Sequence, residues 1–176
     1  PFDIAALFGC ALLTGIGAVR NSAQVKEGQS IGIWGLGGVG LSALLGAVIS
    51  KAAPIIVIDP VESKRKLALS LGADIALDPK DDLRNHLATG VSVAIEAAGR
   101  ADTLIAAYEA TARGGTTVSV GLPKAEEKFS ISALSLVADL KTIKGSYLGS
   151  ANPRLDIPEF VEFWRDRKLP VEKLLT

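Results

Sequence analysis

SIGIWGLGGVGLSALLGA, residues 30–47, contains the pattern from which the fold is predicted. A short apolar run precedes a cluster of glycines, and a second apolar run of helical character follows it. The order strand, glycine-rich loop and helix is typical of a dinucleotide-binding unit, whose backbone N–H groups face a pyrophosphate. The residues assigned to this phosphate loop are Gly35, Leu36, Gly37, Gly38, Val39 and Gly40.

Each glycine of the loop has a physical role, and an acidic residue follows at a suitable distance. Gly35 permits the tight turn, Gly37 lets the backbone approach the phosphates, and Gly40 lets the helix pack on the strand. A second apolar strand, IIVI, ends at Asp59, 19 residues beyond Gly40. A carboxylate there accepts hydrogen bonds from the adenosine ribose and repels a 2′-phosphate, so NAD is favoured over NADP. Lys64, one helical turn into the next helix, is placed to reach the same ribose.

The bulk composition describes one globular domain, residues 1–176, without a charged binding surface. Of the 176 residues, 48% are hydrophobic, and 19 basic residues balance 19 acidic ones. This balance argues against nucleic acid and a membrane surface as partners. The longest apolar runs are interrupted well short of about 20 residues, so we expect no transmembrane helix. A single cysteine suits a reducing compartment, and we expect a cytoplasmic protein.

Strand-like and helix-like segments alternate along the chain. The strand-like segments are continuously apolar, which is typical of strands that are buried on both faces of a parallel sheet. We predict an α/β fold: a doubly wound six-stranded parallel sheet of the Rossmann type, in three layers, with strand order 3-2-1-4-5-6. The predicted strands are 30–34, 55–58, 75–77, 91–96, 116–120 and 142–147, with a further short strand possible at 129–131; the predicted helices are 4–20, interrupted near 9–14, then 38–50, 62–71, 82–88, 102–112 and 157–167.

The fold class also predicts where a ligand binds. In a doubly wound sheet the ligand lies across the carboxyl ends of the strands, at the point where the strand order reverses. Ala98 follows the fourth predicted strand, and Val120, Gly121 and Leu122 end or follow the fifth. We therefore expect these four residues to lie along the cofactor.

A complete catalytic apparatus is not visible in the residues. Neither tyrosine is followed by lysine at the fourth position, as short-chain dehydrogenases require. The one histidine, His86, lies in a polar segment and is assigned no role. No two metal ligands have the spacing of a zinc site.

The chain nevertheless resembles, over its whole length, the cofactor domain of zinc-dependent alcohol dehydrogenases in the medium-chain dehydrogenase/reductase family. The resemblance is carried by FGCALLTGIGAV, the glycine loop, IIVIDPVESKRKLALSLGAD, VAIEAAGRADTL, GGTTVSVGLP and KGSYLGS. It implies that Cys10 is one of three catalytic zinc ligands, that Thr14 packs on the nicotinamide, and that Asp59 and Lys64 bind the adenosine ribose. Positions implied to contact the nicotinamide are Val120, Leu122, Ser146 and Leu148.

The same resemblance implies what this chain lacks. In the family, an N-terminal GroES-like domain supplies the other two zinc ligands and much of the substrate pocket. We therefore expect a fragment of a two-domain enzyme that oxidises a small alcohol or reduces an aldehyde. The fragment is expected to bind NAD but to be inactive alone. Family members pair their sixth strands, which predicts a homodimer through residues 142–147.

Two alternatives stay open. A stand-alone NAD-sensing regulatory module would explain a cofactor-binding site without catalytic residues, although it gives no reason for the placement of Cys10 and Thr14. A zinc-free relative of the quinone reductases is the other alternative. Such relatives typically prefer NADPH and lack the ligand cysteine, so Cys10 and Asp59 argue against it.

Overall fold

The six strands form one parallel sheet in a computed structural model, which describes residues 2–175. The strand order is β3-β2-β1-β4-β5-β6, so the predicted Rossmann-type topology is confirmed. The register aligns Ile31 of the first strand with Ile55 on one side and Val93 on the other. The strands are β1 (Ile31–Trp34), β2 (Ile55–Ile58), β3 (Ile75–Leu77), β4 (Val91–Glu96), β5 (Thr111–Ser119) and β6 (Thr142–Gly145).

Helices cover the sheet. They are α1 (Phe2–Leu7), α2 (Leu13–Gly17), α3 (Gly38–Ile49), α4 (Glu62–Ser70), α5 (Ala101–Ala110), α6 (Ala133–Ala138) and α7 (Pro153–Arg165). Single 3-10 turns occur at Leu83–Asn85, Leu148–Ser150 and Val171–Leu174. The interruption expected in the first helix is a π-helical stretch, Phe8–Leu12, and a second such stretch, Ala18–Ala23, ends the segment.

The N-terminal helical segment packs tightly on α3. Leu12, Ile16 and Val19 are fully buried, and a side chain at Gly15 would overlap the carbonyl oxygen of Val39. By length and composition alone, Phe2–Ser22 is apolar enough to cross a membrane, unlike the shorter runs anticipated from the sequence. A core helix passes the same test of length and composition, and 56% of the apolar window of this segment is buried within the fold.

Two local expectations are wrong, and one helix was not predicted. Residues 82–88 form only the 3-10 turn Leu83–Asn85, because Leu83 alone among those three is buried and no apolar stripe supports a longer helix. Residues 129–131 are irregular, since β6 takes the place beside β5. The helix α6 was not anticipated; the Ser132 side chain caps it by accepting a hydrogen bond from the Ser135 N–H at 3.2 Å.

Several element boundaries also differ from expectation; β6, for example, ends at Gly145 rather than at 147. The β5 strand begins at Thr111 rather than at 116, and its pairing with β4 shifts register between Val91 and Val93. The α7 helix begins at Pro153 rather than at 157, because the Asn152 side chain accepts a hydrogen bond from the Arg154 N–H at 3.2 Å and caps the helix there. Proline suits the first turn of a helix, where its missing N–H costs nothing.

Candidate functional site

The phosphate loop joins β1 to α3 at the carboxyl edge of the sheet. Gly35 has φ +90°, a left-handed conformation that favours glycine, and a Cβ there would lie 2.9 Å from the Ala98 nitrogen. A Cβ at Gly40 would overlap the Gly35 carbonyl oxygen, so Gly40 permits the close packing of α3. Gly37 differs, because a Cβ there would meet no atom of residues 2–175 within 4 Å. The loop therefore leaves space for a ligand at Gly37, whereas Gly35 and Gly40 pack against other atoms of the protein.

The start of α3 offers hydrogen-bond donors beside this opening. Gly37 is the N-cap residue and contributes no side-chain hydrogen bond to the helix. The amide N–H groups of the first turn, Gly38 to Gly40, have no carbonyl four residues earlier within the helix. Such a terminus carries a partial positive charge and binds anions.

Asp59 follows β2 and is held beside the phosphate loop. Its Oδ2 accepts a hydrogen bond from the Leu36 N–H at 2.7 Å, and its Oδ1 accepts one from the Val61 N–H at 2.8 Å. Only 4% of the residue is exposed, yet it lines a cavity at the carboxyl edge. Each carboxylate oxygen can accept a further hydrogen bond, so Asp59 can still receive two hydroxyl donors.

The cavity has a volume of about 970 Å³, within the range of ligand sites. Six of the residues assigned from the sequence line it: Gly35, Leu36, Gly37, Asp59, Lys64 and Ala98. Lys64 is half-buried at its wall, whereas the neighbouring Arg65 is engaged with the Asp59 carbonyl oxygen at 2.6 Å and with Asp78 at 3.2 Å. Lys64 is thus the α4 cation placed toward a ligand in this cavity.

A buried glutamate holds the loop after β4, which contributes Ala98 to the cavity. Glu96 ends β4 with 1% of its surface exposed, and its Oε1 accepts hydrogen bonds from the N–H groups of Ala98 at 2.8 Å and Gly99 at 2.7 Å. Its Oε2 accepts the Ser119 hydroxyl at 3.3 Å. Burial raises the pKa of Glu96, and the N–H donors partly offset this. Glu96 therefore fixes the loop after β4, which carries Ala98.

A second group of assigned residues lies near the carboxyl ends of β5 and β6. Val120 is buried and Leu122 is 79% exposed. A Cβ at Gly121 would overlap the Gly99 nitrogen, so the loops after β4 and β5 are in contact. Ser146 is buried, and its N–H donates to the Ser119 carbonyl oxygen at 2.9 Å.

Thr14 belongs to this second group as well. It is buried in α2, and a Cβ at Gly149 would lie 2.8 Å from its carbonyl oxygen. The turn that contains Leu148 therefore lies against Thr14. The structure thus brings assigned residues together in two groups: one around Asp59 and the glycine loop, and one around Thr14 and Ser146.

Cys10 is exposed in the π-helical stretch Phe8–Leu12. A catalytic zinc ion takes three protein ligands and keeps one open position. Across residues 2–175, no group of three His, Cys, Asp or Glu side chains is placed to hold a metal ion. The described residues therefore do not form a zinc site by themselves. His86 only ends the turn Leu83–Asn85, where its N–H donates to the Leu83 carbonyl oxygen at 2.9 Å.

The sequence reasoning missed several residues that line the cavity. Trp34 ends β1 directly before Gly35, and its ring lies where a side chain at Gly32 would otherwise be. Arg100 and Thr103 also line the cavity, and Arg100 forms an ion pair with Asp102 at 2.7 Å. Adjacency to the assigned residues was the available signal: Trp34 precedes the glycine loop, and Arg100 follows the sequence Ala98-Gly99.

Comparison with known proteins yields consistent matches. Residues 38–166 match the family model described as "Zinc-binding dehydrogenase". The chain is 35% identical to alcohol dehydrogenase 1 of Trifolium repens and 36% identical to geraniol dehydrogenase of Castellaniella defragrans, in each case over 100% of this chain and 48% or 49% of the relative. It superposes on benzyl alcohol dehydrogenase from Acinetobacter calcoaceticus with a TM-score of 0.95 and 34% identity, covering 99% of this chain and 49% of that one. The chain spans about half the length of the curated relatives it matches.

Proposed function

This chain belongs to the zinc-binding dehydrogenase family, and on that premise we propose that residues 1–176 are the NAD-binding domain of a zinc-dependent alcohol dehydrogenase. One observation carries the cofactor proposal. The Asp59 carboxylate lies at the cavity beside the glycine loop, with acceptor capacity left for two hydroxyl groups. An adenosine ribose presents two such hydroxyls.

The residues present fit a dinucleotide. The opening at Gly37 leaves space for phosphate oxygens, and the N–H groups that begin α3 are donors for them. When bound, NAD supplies a hydride acceptor. The part of this chain is to hold the ribose at Asp59, to neutralise phosphate charge with the helix terminus, and to direct the cofactor along the strand ends.

Asp59 also supports NAD over NADP. A 2′-phosphate on the adenosine ribose would bring further negative charge to a carboxylate that is only 4% exposed. Repulsion between like charges is strong where little water screens them. Lys64, a half-buried residue at the cavity wall, contributes only a single positive charge, which does not reverse this preference.

We propose that the parent enzyme oxidises a small alcohol or reduces an aldehyde, in line with the names of the relatives. Cys10 is the residue of this chain that would contribute to its zinc site. Because one thiolate cannot hold a catalytic zinc ion, we expect the 176-residue chain to bind NAD without catalysing alcohol oxidation.

We also propose a homodimer through β6. This strand occupies the edge of the sheet, and an unpaired edge is a template for pairing with another strand. Exposed apolar side chains lie around it: Leu134, Val137, Leu140 and Tyr147 are each at least 66% exposed. The single cysteine favours a cytoplasmic location for this dimer.

Calorimetric titration of the purified chain with NADH tests the cofactor proposal. One-to-one binding is expected, together with negligible zinc in a metal assay and no formation of NADH from NAD and an alcohol. Absence of NADH binding would contradict the proposed cofactor. Turnover of an alcohol by the chain alone would contradict the proposal that the other domain is required.

A further inference from the structure

A short left-handed turn follows β6. Three consecutive residues have positive φ angles: Leu148 at 48°, Gly149 at 67° and Ser150 at 49°. Glycine adopts this conformation readily, but leucine and serine are strained in it. Strained backbone persists only where surrounding contacts hold it in place, and such places are often ligand clamps.

The first constraint is close contact between two glycines. A Cβ at Gly17 would lie 2.5 Å from the Gly149 carbonyl oxygen, and a Cβ at Gly149 would overlap the Leu13 carbonyl oxygen. The turn therefore rests directly on the backbone of α2. Thr14 lies on the same part of the helix, so Thr14 and the turn occupy a fixed relative position.

The second constraint is a cluster of three serines. The Ser22 hydroxyl lies 2.7 Å from Ser146 Oγ and donates to Ser150 Oγ at 3.0 Å. A serine hydroxyl has one proton, so Ser146 is the donor in the shorter bond. The Ser22 hydroxyl thus connects Ser146, two residues before the left-handed turn, with Ser150, which ends the turn. Ser22 and Ser146 are both at least nine-tenths buried.

Neighbouring side chains of the N-terminal segment bind the same region. Asn21 Nδ2 donates to the Gly149 carbonyl oxygen at 3.4 Å and to Asp156 Oδ2 at 3.2 Å. Lys144 of β6 donates to the Ser22 carbonyl oxygen at 3.2 Å. These bonds join segments more than 120 residues apart. In addition to these bonds, the Ser22 hydroxyl bonds to Ser150 at the end of the turn and to Ser146 two residues before it.

The position of this turn matches one end of a dinucleotide. A doubly wound sheet binds the second nucleotide over the carboxyl ends of its other half, which here is β4, β5 and β6. The Asp59 cavity serves the first nucleotide, and Ser146 directly follows β6. We propose that Ser22 is a positioning residue: its hydroxyl holds the left-handed turn against α2 and so preforms the seat of the nicotinamide nucleotide. This inference rests on the proposed function.

The test compares two ligands on the full chain. NADH contains the nicotinamide, whereas ADP-ribose keeps the adenosine, pyrophosphate and second ribose without it. Replacement of Ser22 by alanine (Ser22→Ala) should weaken NADH binding about tenfold, the order expected for the loss of one or two net hydrogen bonds. ADP-ribose affinity should change less than about twofold, because the groups around Asp59 are untouched. The blue shift of bound NADH fluorescence should also decrease.

Ser92→Ala is the matched control. Ser92 Oγ pairs with Ser30 Oγ at 3.1 Å near the amino ends of β4 and β1, away from the proposed ligand, so both affinities should remain at the wild-type value. An equal loss of NADH and ADP-ribose affinity in Ser22→Ala would overturn the inference, since the role of Ser22 would then be structural only. Unchanged affinity for both ligands would overturn it as well. Failure of wild-type chain to bind either ligand would instead refute the proposed function on which it rests.

Discussion

Replacement of Gly37 by alanine should separate ligand binding from folding. Gly37 has φ −76° and ψ −172°, which alanine adopts without strain, and the added Cβ would meet no atom of residues 2–175 within 4 Å. Alanine lowers the conformational entropy of the unfolded chain, which stabilises the folded state by about 0.4–1 kcal/mol. Alanine is also a poorer N-cap than glycine, which destabilises the folded state. These effects oppose each other, so the free energy of unfolding should change by less than about 1 kcal/mol.

The same Cβ would occupy the space proposed for phosphate oxygens. A phosphate displaced from the start of α3 loses at least one charge-assisted hydrogen bond, which is worth about 1.5–3 kcal/mol. NADH affinity should therefore fall by roughly tenfold to a hundredfold. Calorimetric titration measures the affinity, and chemical denaturation measures the stability.

Two further alanine variants serve as controls for Gly37→Ala. Gly9 is exposed on the N-terminal helix, and a Cβ there also meets no atom of residues 2–175 within 4 Å, so Gly9→Ala should leave NADH affinity unchanged. Gly40→Ala should destabilise the fold, because its Cβ would overlap the Gly35 carbonyl oxygen. Wild-type NADH affinity in Gly37→Ala would refute the placement of the phosphates in this loop.

Three other perturbations test separate parts of the site. Because the pKa of Glu96 is raised, folded wild type binds the Glu96 proton more tightly than the unfolded chain does, and wild type loses stability as pH rises above 4.5. The Glu96→Gln variant should therefore gain stability relative to wild type over this range, by at most about 1.4 kcal/mol per pH unit. Melting temperatures of the two proteins that differ by a constant amount from pH 4.5 to 8 would exclude this. Trp34 lines the cavity whereas Trp164 bonds to Glu172, so Trp164→Phe should retain quenching of tryptophan fluorescence by NADH, and loss of the quenching would place the ligand elsewhere. The Ser146 N–H faces β5, so by alternation along the strand the Ile143 N–H faces the open edge of the sheet. Proline has no N–H to donate there, so Ile143→Pro should yield a folded monomer in sedimentation analysis. A persistent dimer would exclude pairing through β6.

Much of the fold was predictable because burial leaves a clear pattern in the sequence. The strands β1 and β2 lie inside a parallel sheet, where both faces demand apolar residues, and their boundaries were predicted within one residue. The helix α6 has no such pattern, since Leu134 and Val137 are more than 70% exposed. Residues 129–131 have strand-like composition, but β6 takes the place at the edge of the sheet, and local composition cannot predict that outcome.

The candidate site was likewise predictable from the sequence only in part. Asp59 was identified from its spacing to the glycine loop, but its hydrogen bonds to Leu36 and Val61 follow from the folded loop geometry. The bond between Ser22 and Ser146 joins residues 124 positions apart, and no local motif marks it. Contacts of this kind depend on the relative placement of complete elements, which a single sequence does not specify locally.

Titration of the wild-type chain with NADH and, separately, with NADPH tests whether Asp59 selects NAD. The two ligands differ only in the 2′-phosphate that would face Asp59. We expect NADH to bind at least tenfold more tightly, a difference of about 1.4 kcal/mol. Equal affinities, or tighter binding of NADPH, would contradict the account of Asp59 as the residue that selects NAD.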